Sequence, residues 1–292
     1  MNAGTVLVTG ALGGMGEATA RRLAARHPHL LLTDRDEHRL LTARQQVREL
    51  GARCDVVVGD LADAGSISRI GELVGKHGGL RALIHTAAVS PSMTDWKTLL
   101  TVDLLGTIRL LDSVFPHTGP GSVAVCFASL AAHMGRPVPA PVAAELAGPL
   151  DETIVDRIAA AVDSEPSTGM AYIWAKSAVV TLCERLAGAW GRRGARILSL
   201  SPGLIDTPMG RLELAENEQK KTQLEVTPLR GDVAGRHPDL PGRTDDIAAA
   251  VDFLCSADAS FLNGTDLRVD GGFIGVWRHE LGRDPGVRPT VG

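Results

Sequence analysis

A tyrosine and a lysine at helical spacing are the residues of this chain best suited to acid–base chemistry. Tyr172 is the only tyrosine among the 292 residues, and Lys176 follows it by four positions. Residues four apart share a helix face, so the phenol and the ammonium would point into the same space. A phenol titrates at about pH 10 in water, and a nearby ammonium favours its ionised form, which suits proton exchange with an alcohol or a carbonyl oxygen. The structural alternative is a half-buried aromatic ring beside a surface charge.

A glycine-rich segment near the amino terminus follows a short β-branched stretch and opens a helical pattern that continues to Arg26. Glycines permit a tight turn and a close approach of the backbone, and the free N–H groups of a helix N-terminus bind pyrophosphate. The alternative is a flexible turn without a ligand. The context predicts a dinucleotide site formed by Thr9, Gly10, Leu12, Gly14, Met15 and Gly16.

Two acidic positions at later strand ends suit the adenosine half of such a cofactor. Asp34 ends the second predicted strand, twenty residues beyond Gly14, where a carboxylate can hold ribose hydroxyls and repel a 2′-phosphate. Its neighbour Arg35 could instead bind that phosphate, so the sequence favours NAD and leaves NADP as the less favoured cofactor. Asp34 could also simply cap the helix that follows. Asp60 and Leu61, after the third strand, are predicted to contact the adenine.

The elements that must position these residues alternate between strand and helix. Because such alternation is typical of a parallel sheet, we expect a single-domain α/β fold of Rossmann type, a doubly wound parallel sheet of about seven strands with helices on both faces. Ligands bind these sheets at the carboxyl ends of the strands, where Ser129 also falls. Strands are predicted at residues 5–9, 30–33, 54–59, 80–85, 122–128, 196–201 and 265–269.

Three segments depart from the regular alternation. The proline- and alanine-rich stretch 133–168 is predicted to be an insertion that covers the site or makes a subunit contact, with a short helix at 150–162. The polar stretch 204–241, with a charged helix at 211–223, suits a mobile substrate lid. The tail 273–292 is predicted to be mostly irregular, so the catalytic domain spans residues 1–272.

The composition of the chain limits the classes of molecule that it is expected to bind. A net charge of −4 gives no basic footprint for nucleic acid, and no apolar run is long enough for a membrane span. The first strand begins at Thr5, where a signal peptide would otherwise lie. Four widely spaced cysteines in apolar runs indicate reduced core residues of a cytoplasmic protein, and neither a disulfide nor a metal site is expected.

Together these motifs resemble the classical short-chain dehydrogenases/reductases, from Thr5 to about Gly272. The resemblance rests on five features in order: Thr9-Gly10-x-x-x-Gly14-x-Gly16, Ser129, Tyr172-x-x-x-Lys176, Pro202-Gly203-x-x-x-Thr207, and Asn263-Gly264 with Val269-Asp270-Gly271-Gly272. It implies that Tyr172 is the general acid/base, that Lys176 binds the nicotinamide ribose and that Ser129 holds the substrate oxygen. It also implies that Thr207, with Pro202, Gly203 and Ile205, contacts the nicotinamide.

Three departures from the family pattern are informative. His85-Thr86-Ala87-Ala88 stands where the family has Asn-Asn-Ala-Gly, and Asp103 stands at the position of a catalytic helix asparagine, where it can still position water. Thr86, Ala87 and Ala88 are therefore expected beside the cofactor, with His85 as a packed strand-end residue or a further catalytic candidate. Ser129 and Tyr172 are 43 residues apart, far more than is usual in the family. An insertion there resembles the bacterial 3α-hydroxysteroid dehydrogenase/carbonyl reductase group and implies a homodimer, or a homotetramer of unusual assembly.

The predicted function is NAD-dependent hydride transfer to or from a secondary alcohol or ketone on a small apolar substrate, such as a steroid-like or terpenoid-like molecule. One alternative is an NADP-dependent carbonyl or ketoacyl reductase, which Arg35 favours. The other is a dinucleotide-binding sensor or scaffold that has lost turnover, which the departures at His85–Ala88 and Asp103 favour.

Overall fold

The computed structural model describes residues 4–135, 138–216, 218–229 and 241–281. Seven parallel strands form one sheet in the order β3-β2-β1-β4-β5-β6-β7. The strands are β1 Thr5–Thr9, β2 His29–Asp34, β3 Arg53–Val58, β4 Leu80–His85, β5 Val123–Phe127, β6 Arg196–Pro202 and β7 Asp266–Val269. The predicted fold class, a doubly wound Rossmann-type sheet, is confirmed.

Helices cover both faces of the sheet because alternate strand residues point to opposite sides. On one face, Val6, Val8 and Leu32 pack with the helices α1 Gly14–Ala24, α2 Glu37–Glu49 and α11 Thr244–Cys255. On the other, Leu7 and Leu31 pack with α3 Ala64–Lys76 and with the helices that follow β4 and precede β6. The helices that complete the chain are α4 Trp96–Leu100, α5 Gly106–Val114, α6 Ala140–Ala147, α7 Ile154–Ala161, α8 Thr168–Arg192, α9 Pro208–Glu216, α10 Glu218–Val226 and α12 Phe273–Val276.

A long helical segment from Trp96 to Val114 contains a wider turn. Asp95 caps its start by accepting from the backbone N–H groups of Lys97 and Thr98. Residues Thr101–Leu105 are π-helical between α4 and α5. Such a single wide turn inside an α-helix is frequent at functional sites, and here it carries Asp103.

The insertion contains two helices, where the sequence predicted one. Its buried side chains Val142, Ile154 and Ile158 join the same core as Trp96 and Trp174. Arg109 on α5 forms an ion pair with Glu152 ahead of α7, and Arg185 on α8 donates to the Leu146 and Gly148 carbonyls. The insertion therefore packs on helices α4, α5 and α8 of its own chain.

One further prediction needs correction, and one part of the chain lies outside the described residues. The charged segment predicted to be helical at 211–223 is helical on both sides of residue 217, as α9 and α10. The tail is helical at its start, with α12 followed by the π-helical residues Trp277–Leu281, because Phe273 and Ile274 pack against Leu130. The rest of the predicted lid (230–240) and of the tail (282–292) lies outside the described residues.

The four cysteines are buried with free thiols, as expected from their apolar surroundings. Within the described ranges, no helix has both the length and the apolar character needed to cross a bilayer.

Candidate active site

The predicted cofactor and catalytic residues meet at the carboxyl edge of the sheet. The chain winds from β1 outward to β3, then crosses back to β4 beside β1. This reversal opens a crevice between the ends of β1 and β4, the place where ligands bind in sheets of this class.

The glycine-rich turn is shaped by close contacts that a side chain would prevent. Gly10 has a φ of +66°, and a Cβ there would lie 2.7 Å from the Ala87 nitrogen. A Cβ on Gly16 would lie 2.2 Å from the Gly10 carbonyl oxygen. Thr86 fastens the end of β4 to this turn, because its hydroxyl donates to the Thr9 carbonyl at 2.7 Å. Thr86 and Ala87 therefore border the glycine-rich turn.

The residues present fit a dinucleotide. Helix α1 begins directly after the turn, and Gly13 at its N-cap has no side chain to occupy the free N–H groups of Gly14, Met15 and Gly16. Beside them, a carboxylate oxygen of Asp34 accepts from the Leu12 N–H at 3.0 Å. An N-terminus open to phosphate and a carboxylate at the next strand end are the two features that a pyrophosphate and a ribose require.

An arginine that the sequence did not single out also reaches this position. Arg39, on the first turn of α2, donates from Nη2 to the Leu12 carbonyl at 3.0 Å. Arg35 is exposed next to Asp34, and its N–H donates to the Asp34 carboxylate at 2.8 Å. The four-residue spacing of Arg35 and Arg39 was the feature of the sequence that could have indicated Arg39 as a further cofactor-binding candidate. Asp60 lies further along the same edge, where its carboxylate accepts from the Ala62 N–H at 2.9 Å, and Leu61 is buried.

His85 is locked into a buried hydrogen-bonded chain. Its Nδ1 lies 2.7 Å from the Thr9 hydroxyl, and its Nε2 lies 2.9 Å from the Thr107 hydroxyl. Because the Thr107 hydroxyl donates to the Asp103 carbonyl at 2.7 Å, it accepts from Nε2–H, and Nδ1 accepts from Thr9. Burial, followed by the charge of Lys176, lowers the pKa of His85 to about 3. His85 is therefore a neutral packing residue that joins β1 and β4 to the π-helical turn.

Asp103 and Lys176 form an ion pair in the protein interior. The Asp103 Oδ2 lies 3.1 Å from the Lys176 Nζ, and the two side chains are 0% and 4% exposed. Asp103 Oδ1 accepts from the Val89 N–H at 2.9 Å, and this hydrogen bond holds the segment that follows Ala88. Ala88 itself is half-buried. Burial raises the pKa of Asp103, and the lysine charge opposes this only in part. Burial lowers the pKa of Lys176, but Asp103, Tyr172 and Cys126 together outweigh it and the net direction is upward, so the ammonium keeps its proton.

Lys176 connects this pair to the tyrosine and to the end of β5. Its Nζ lies 5.5 Å from the centre of the Tyr172 ring and donates to the Phe127 carbonyl at 3.3 Å. Tyr172 is half-buried on the first turns of α8, four residues before Lys176 as the spacing predicted. Ser129 is half-buried two residues beyond Phe127, and its hydroxyl accepts from the Ala131 N–H at 3.2 Å. The structure thus brings Tyr172, Lys176 and Asp103 together and places Ser129 on the adjoining strand end.

The segment after β6 crosses the front of the glycine-rich turn. Gly203 approaches the Asp270 backbone so closely that a Cβ would lie 2.7 Å from the Asp270 Cα. Ile205 is buried, and the Thr207 hydroxyl accepts from the Gly210 N–H at 2.9 Å to start α9. The Thr207 methyl group lies 2.9 Å from where a Gly14 Cβ would be. The segment from Pro202 to Thr207 therefore faces α1 across the crevice.

A cavity of about 220 Å³ opens beside this segment. Its lining was not predicted as a site: besides Gly203 and Ile205 it includes Leu204, Thr227, Leu229, Gly242, Asp246, Val269, Asp270 and Gly271. The first turn of the tail lies close by, and Trp277 Nε1 donates to the Met134 carbonyl at 3.0 Å. The tail thereby contacts the segment that follows Ser129. Nothing in the sequence indicated this contact, because the start of the tail was predicted to be irregular.

Two family models match consecutive parts of the chain. The model described as short chain dehydrogenase matches residues 4–144, and the model described as enoyl-(acyl carrier protein) reductase matches residues 153–274. The interval between them falls within the insertion.

Individual proteins extend this similarity over nearly the whole chain. The galactitol 2-dehydrogenase (L-tagatose-forming) of Cereibacter sphaeroides is 31% identical over 284 residues, covering 92% of this chain and 94% of that protein. A short-chain dehydrogenase/reductase of Alternaria brassicicola is 30% identical over 286 residues, with coverages of 94% and 97%. The chain spans 44% of the length of a short-chain type dehydrogenase/reductase of Sinorhizobium fredii, at 28% identity.

Among solved structures, a short chain dehydrogenase from Burkholderia cenocepacia in complex with NADP is similar with a TM-score of 0.70 and 25% identity. The match covers 93% of this chain and 98% of that one.

Proposed function

Because the chain belongs to the short-chain dehydrogenase/reductase family, we propose that it transfers a hydride between NAD and a secondary alcohol or ketone on a small apolar molecule. That it is an oxidoreductase of alcohol and ketone groups with a nicotinamide nucleotide follows from the family. The particular cofactor, substrate and residue roles are the proposal. The observation that carries it is the buried group of Lys176 and Asp103 beside the Tyr172 ring.

In this proposal Tyr172 is the general acid/base and Ser129 holds the substrate oxygen. During oxidation the Tyr172 oxygen takes the hydroxyl proton of the alcohol, and during reduction it returns a proton to the ketone oxygen. The positive charge of Lys176 stabilises the ionised phenol. An ammonium has three N–H bonds, and after its contacts with Asp103 and Phe127 one remains for a ribose hydroxyl.

The cofactor, when bound, supplies the site that accepts or donates the hydride. The chain would hold its pyrophosphate at the N-terminus of α1, its adenosine ribose at Asp34 and its adenine beside Asp60 and Leu61. Thr86, Ala87 and Ala88 would border it at the end of β4. Pro202, Gly203, Ile205 and Thr207 would border the nicotinamide, where Thr207 can bind a carboxamide.

Cofactor choice depends on the balance between Asp34 and two arginines. Asp34 favours NAD, because its carboxylate faces the glycine-rich turn and would repel a 2′-phosphate. Arg35 and Arg39 favour the second candidate, an NADP-dependent carbonyl or ketoacyl reductase; the match to the enoyl-(acyl carrier protein) reductase model and the NADP complex of a similar structure agree with it.

Two substitutions separate these cofactors. We expect Asp34→Ala to weaken NAD binding and to raise the relative affinity for NADP, and Arg39→Ala to leave NAD binding nearly unchanged. Fluorescence titration with each reduced cofactor measures both. If wild-type protein binds NADP more tightly and Arg39→Ala removes that preference, the NADP reductase is the better proposal.

The cavity beside Gly203 is not lined by Ser129, Tyr172 or Lys176, so we propose that it holds a part of the substrate remote from the reacting carbon. Leu204, Ile205, Leu229 and Val269 give it apolar walls beside Asp246 and Asp270, which suit an apolar ring or chain. Relatives named for galactitol, glucose and threitol make polyols the comparison set for a substrate panel.

The lid and the assembly are also proposals. Helices α9 and α10 follow Thr207 directly, so we infer that residues 204–216 and 218–229, the described parts of the predicted lid, close over the substrate. The insertion packs on α4, α5 and α8 of its own chain, and we infer that it shapes the surface through which two or four copies assemble.

The direct test of the catalytic role is Tyr172→Phe, which removes one oxygen and keeps the ring. We expect turnover to be lost while binding of reduced cofactor, followed by its fluorescence, stays within a factor of about three of wild type, since no proposed cofactor contact except the tyrosine hydroxyl is lost. A variant that retains near-normal turnover contradicts the role of Tyr172. Absence of turnover in wild type as well, with cofactor still bound, would favour the sensor or scaffold.

A further inference from the structure

Three side chains with metal-binding atoms meet at the edge of the sheet opposite the candidate active site. His29 begins β2, Asp55 is the third residue of β3, and His77 directly follows α3. About 16 Å of extended strand separates His29 from Asp34 at the cofactor edge. The group is therefore separate from the residues proposed for catalysis.

The fold dictates that these three side chains converge. Residues two apart on a strand share a face, so His29 points the same way as Leu31, and the β2–β3 register pairs Leu31 with Asp55. Leu31 packs in the core beneath α3 with Val74. His29 and Asp55 thus lie on the face that α3 covers, and His77 lies where that helix ends.

The distances suit one shared ion. Nε2 of His29 lies 2.9 Å and Nε2 of His77 lies 3.5 Å from the same oxygen, Oδ2 of Asp55. The candidate ligand atoms of all three residues lie within 4.8 Å of one another, and the two imidazole ring centres are 4.3 Å apart. Ligands held tetrahedrally at about 2.1 Å from a zinc ion lie about 3.4 Å from each other.

We propose that His29, Asp55 and His77 bind one divalent transition-metal ion, with Zn²⁺ as the ion that this ligand set suits best. Two imidazole nitrogens and one carboxylate oxygen are a ligand set that zinc uses, and three protein ligands leave a position for water. The His29 side chain is 10% exposed, while His77 and Asp55 are 24% and 41% exposed. One ligand is therefore fixed in the core, and the other two leave a path from solvent.

The bound ion would link strands β2 and β3 to the end of α3. Gly78 and Gly79, both in the left-handed region with φ of +85° and +97°, turn the chain from His77 into β4. A ligand fixed at His77 therefore constrains the turn that leads into β4. The alternative is that His29 and Asp55 form only a hydrogen-bonded pair, with His77 packed beside them.

The test is titration of the full-length protein, first stripped with a chelator, with zinc chloride alone. Isothermal calorimetry is expected to show one saturable site per chain. At a free zinc concentration of 100 times the dissociation constant, Tm should rise by about 4 °C. Asp55→Asn and His77→Ala should each weaken zinc binding at least about tenfold, because each removes one ligand.

The matched control is His38→Ala, which removes an exposed histidine on α2 and should leave zinc affinity unchanged. Tm without zinc confirms that each variant is folded, and the partly exposed His77 and Asp55 are chosen because His29 is in the core. The proposal is overturned if the wild-type protein shows no saturable zinc binding. It is equally overturned if folded His77→Ala and Asp55→Asn both bind zinc with wild-type affinity.

Discussion

The substitution Asp103→Asn tests how the buried ion pair sets the working pH of the candidate enzyme. It removes one negative charge beside Lys176 and keeps an oxygen that can accept from the Val89 N–H. The carboxylate of Asp103 raises the pKa of the Lys176 ammonium. Its removal should let Lys176 lose its proton at lower pH.

The magnitude follows from one distance. Lys176 Nζ lies 3.1 Å from Asp103 Oδ2, and at an effective dielectric constant of about 20 unit charges at this distance attract each other by about 5 kcal/mol. We therefore expect the basic limb of the pH profile for alcohol oxidation to move to lower pH in the variant.

The direction follows from the groups around Lys176. Burial lowers the pKa of Lys176, and Asp103, together with Tyr172 and Cys126, opposes this. Without the carboxylate the ammonium loses its proton at lower pH, and the tyrosine then loses the positive charge that stabilises its ionised form.

The assay is kcat/KM for alcohol oxidation between about pH 5 and 10, a range that spans the expected titrations. The control is Asp112→Asn, which removes an exposed carboxylate on α5 and should leave the profile unchanged. A basic limb that stays in place or moves upward for a folded Asp103→Asn variant would refute the electrostatic coupling.

Two other substitutions test the framework around the site. Gly16→Ala should weaken cofactor binding and destabilise the protein by about 1–3 kcal/mol, because the new methyl group would collide with the Gly10 carbonyl. The control is Gly13→Ala, whose Cβ would lie 3.3 Å from the same oxygen. Equal effects of the two substitutions in cofactor titration and denaturant unfolding would contradict the account. Ile158→Ala should lower the free energy of unfolding, measured with denaturant, by about 2–5 kcal/mol if the insertion is part of the core. Val155→Ala should lower it by less. An unchanged free energy of unfolding for Ile158→Ala would show that the insertion does not pack on the rest of the chain.

Much of the fold could be predicted because each signal was local. Continuous apolar stretches such as Leu30–Leu32 and Ala82–Ile84 indicate buried parallel strands. The four-residue spacing of Tyr172 and Lys176 needed only a helix. The helical start of the tail was not predicted because the helix at Phe273 is stabilised by packing on Leu130, far away in the chain.

The features of the site that could not be predicted depend on which strands and helices become neighbours in the fold. The contact of Lys176 with Asp103 joins residues 73 positions apart, and the wide turn that aims Asp103 inward has no distinctive sequence pattern. Arg39 was missed because its importance comes from the distance between α2 and the glycine-rich turn. His85 offered two interpretations until its neighbours Thr9 and Thr107 were in place, and these make it a neutral packing residue.

The most direct measurement follows the absorbance of reduced nicotinamide, with NAD⁺ and NADP⁺ offered separately against hydroxysteroids, other apolar secondary alcohols and polyols, for wild type and for Tyr172→Phe. The account predicts turnover by the wild-type protein with NAD⁺ and an apolar secondary alcohol, and none by the variant. Equal turnover by the two proteins would contradict the central claim that Tyr172 exchanges the proton.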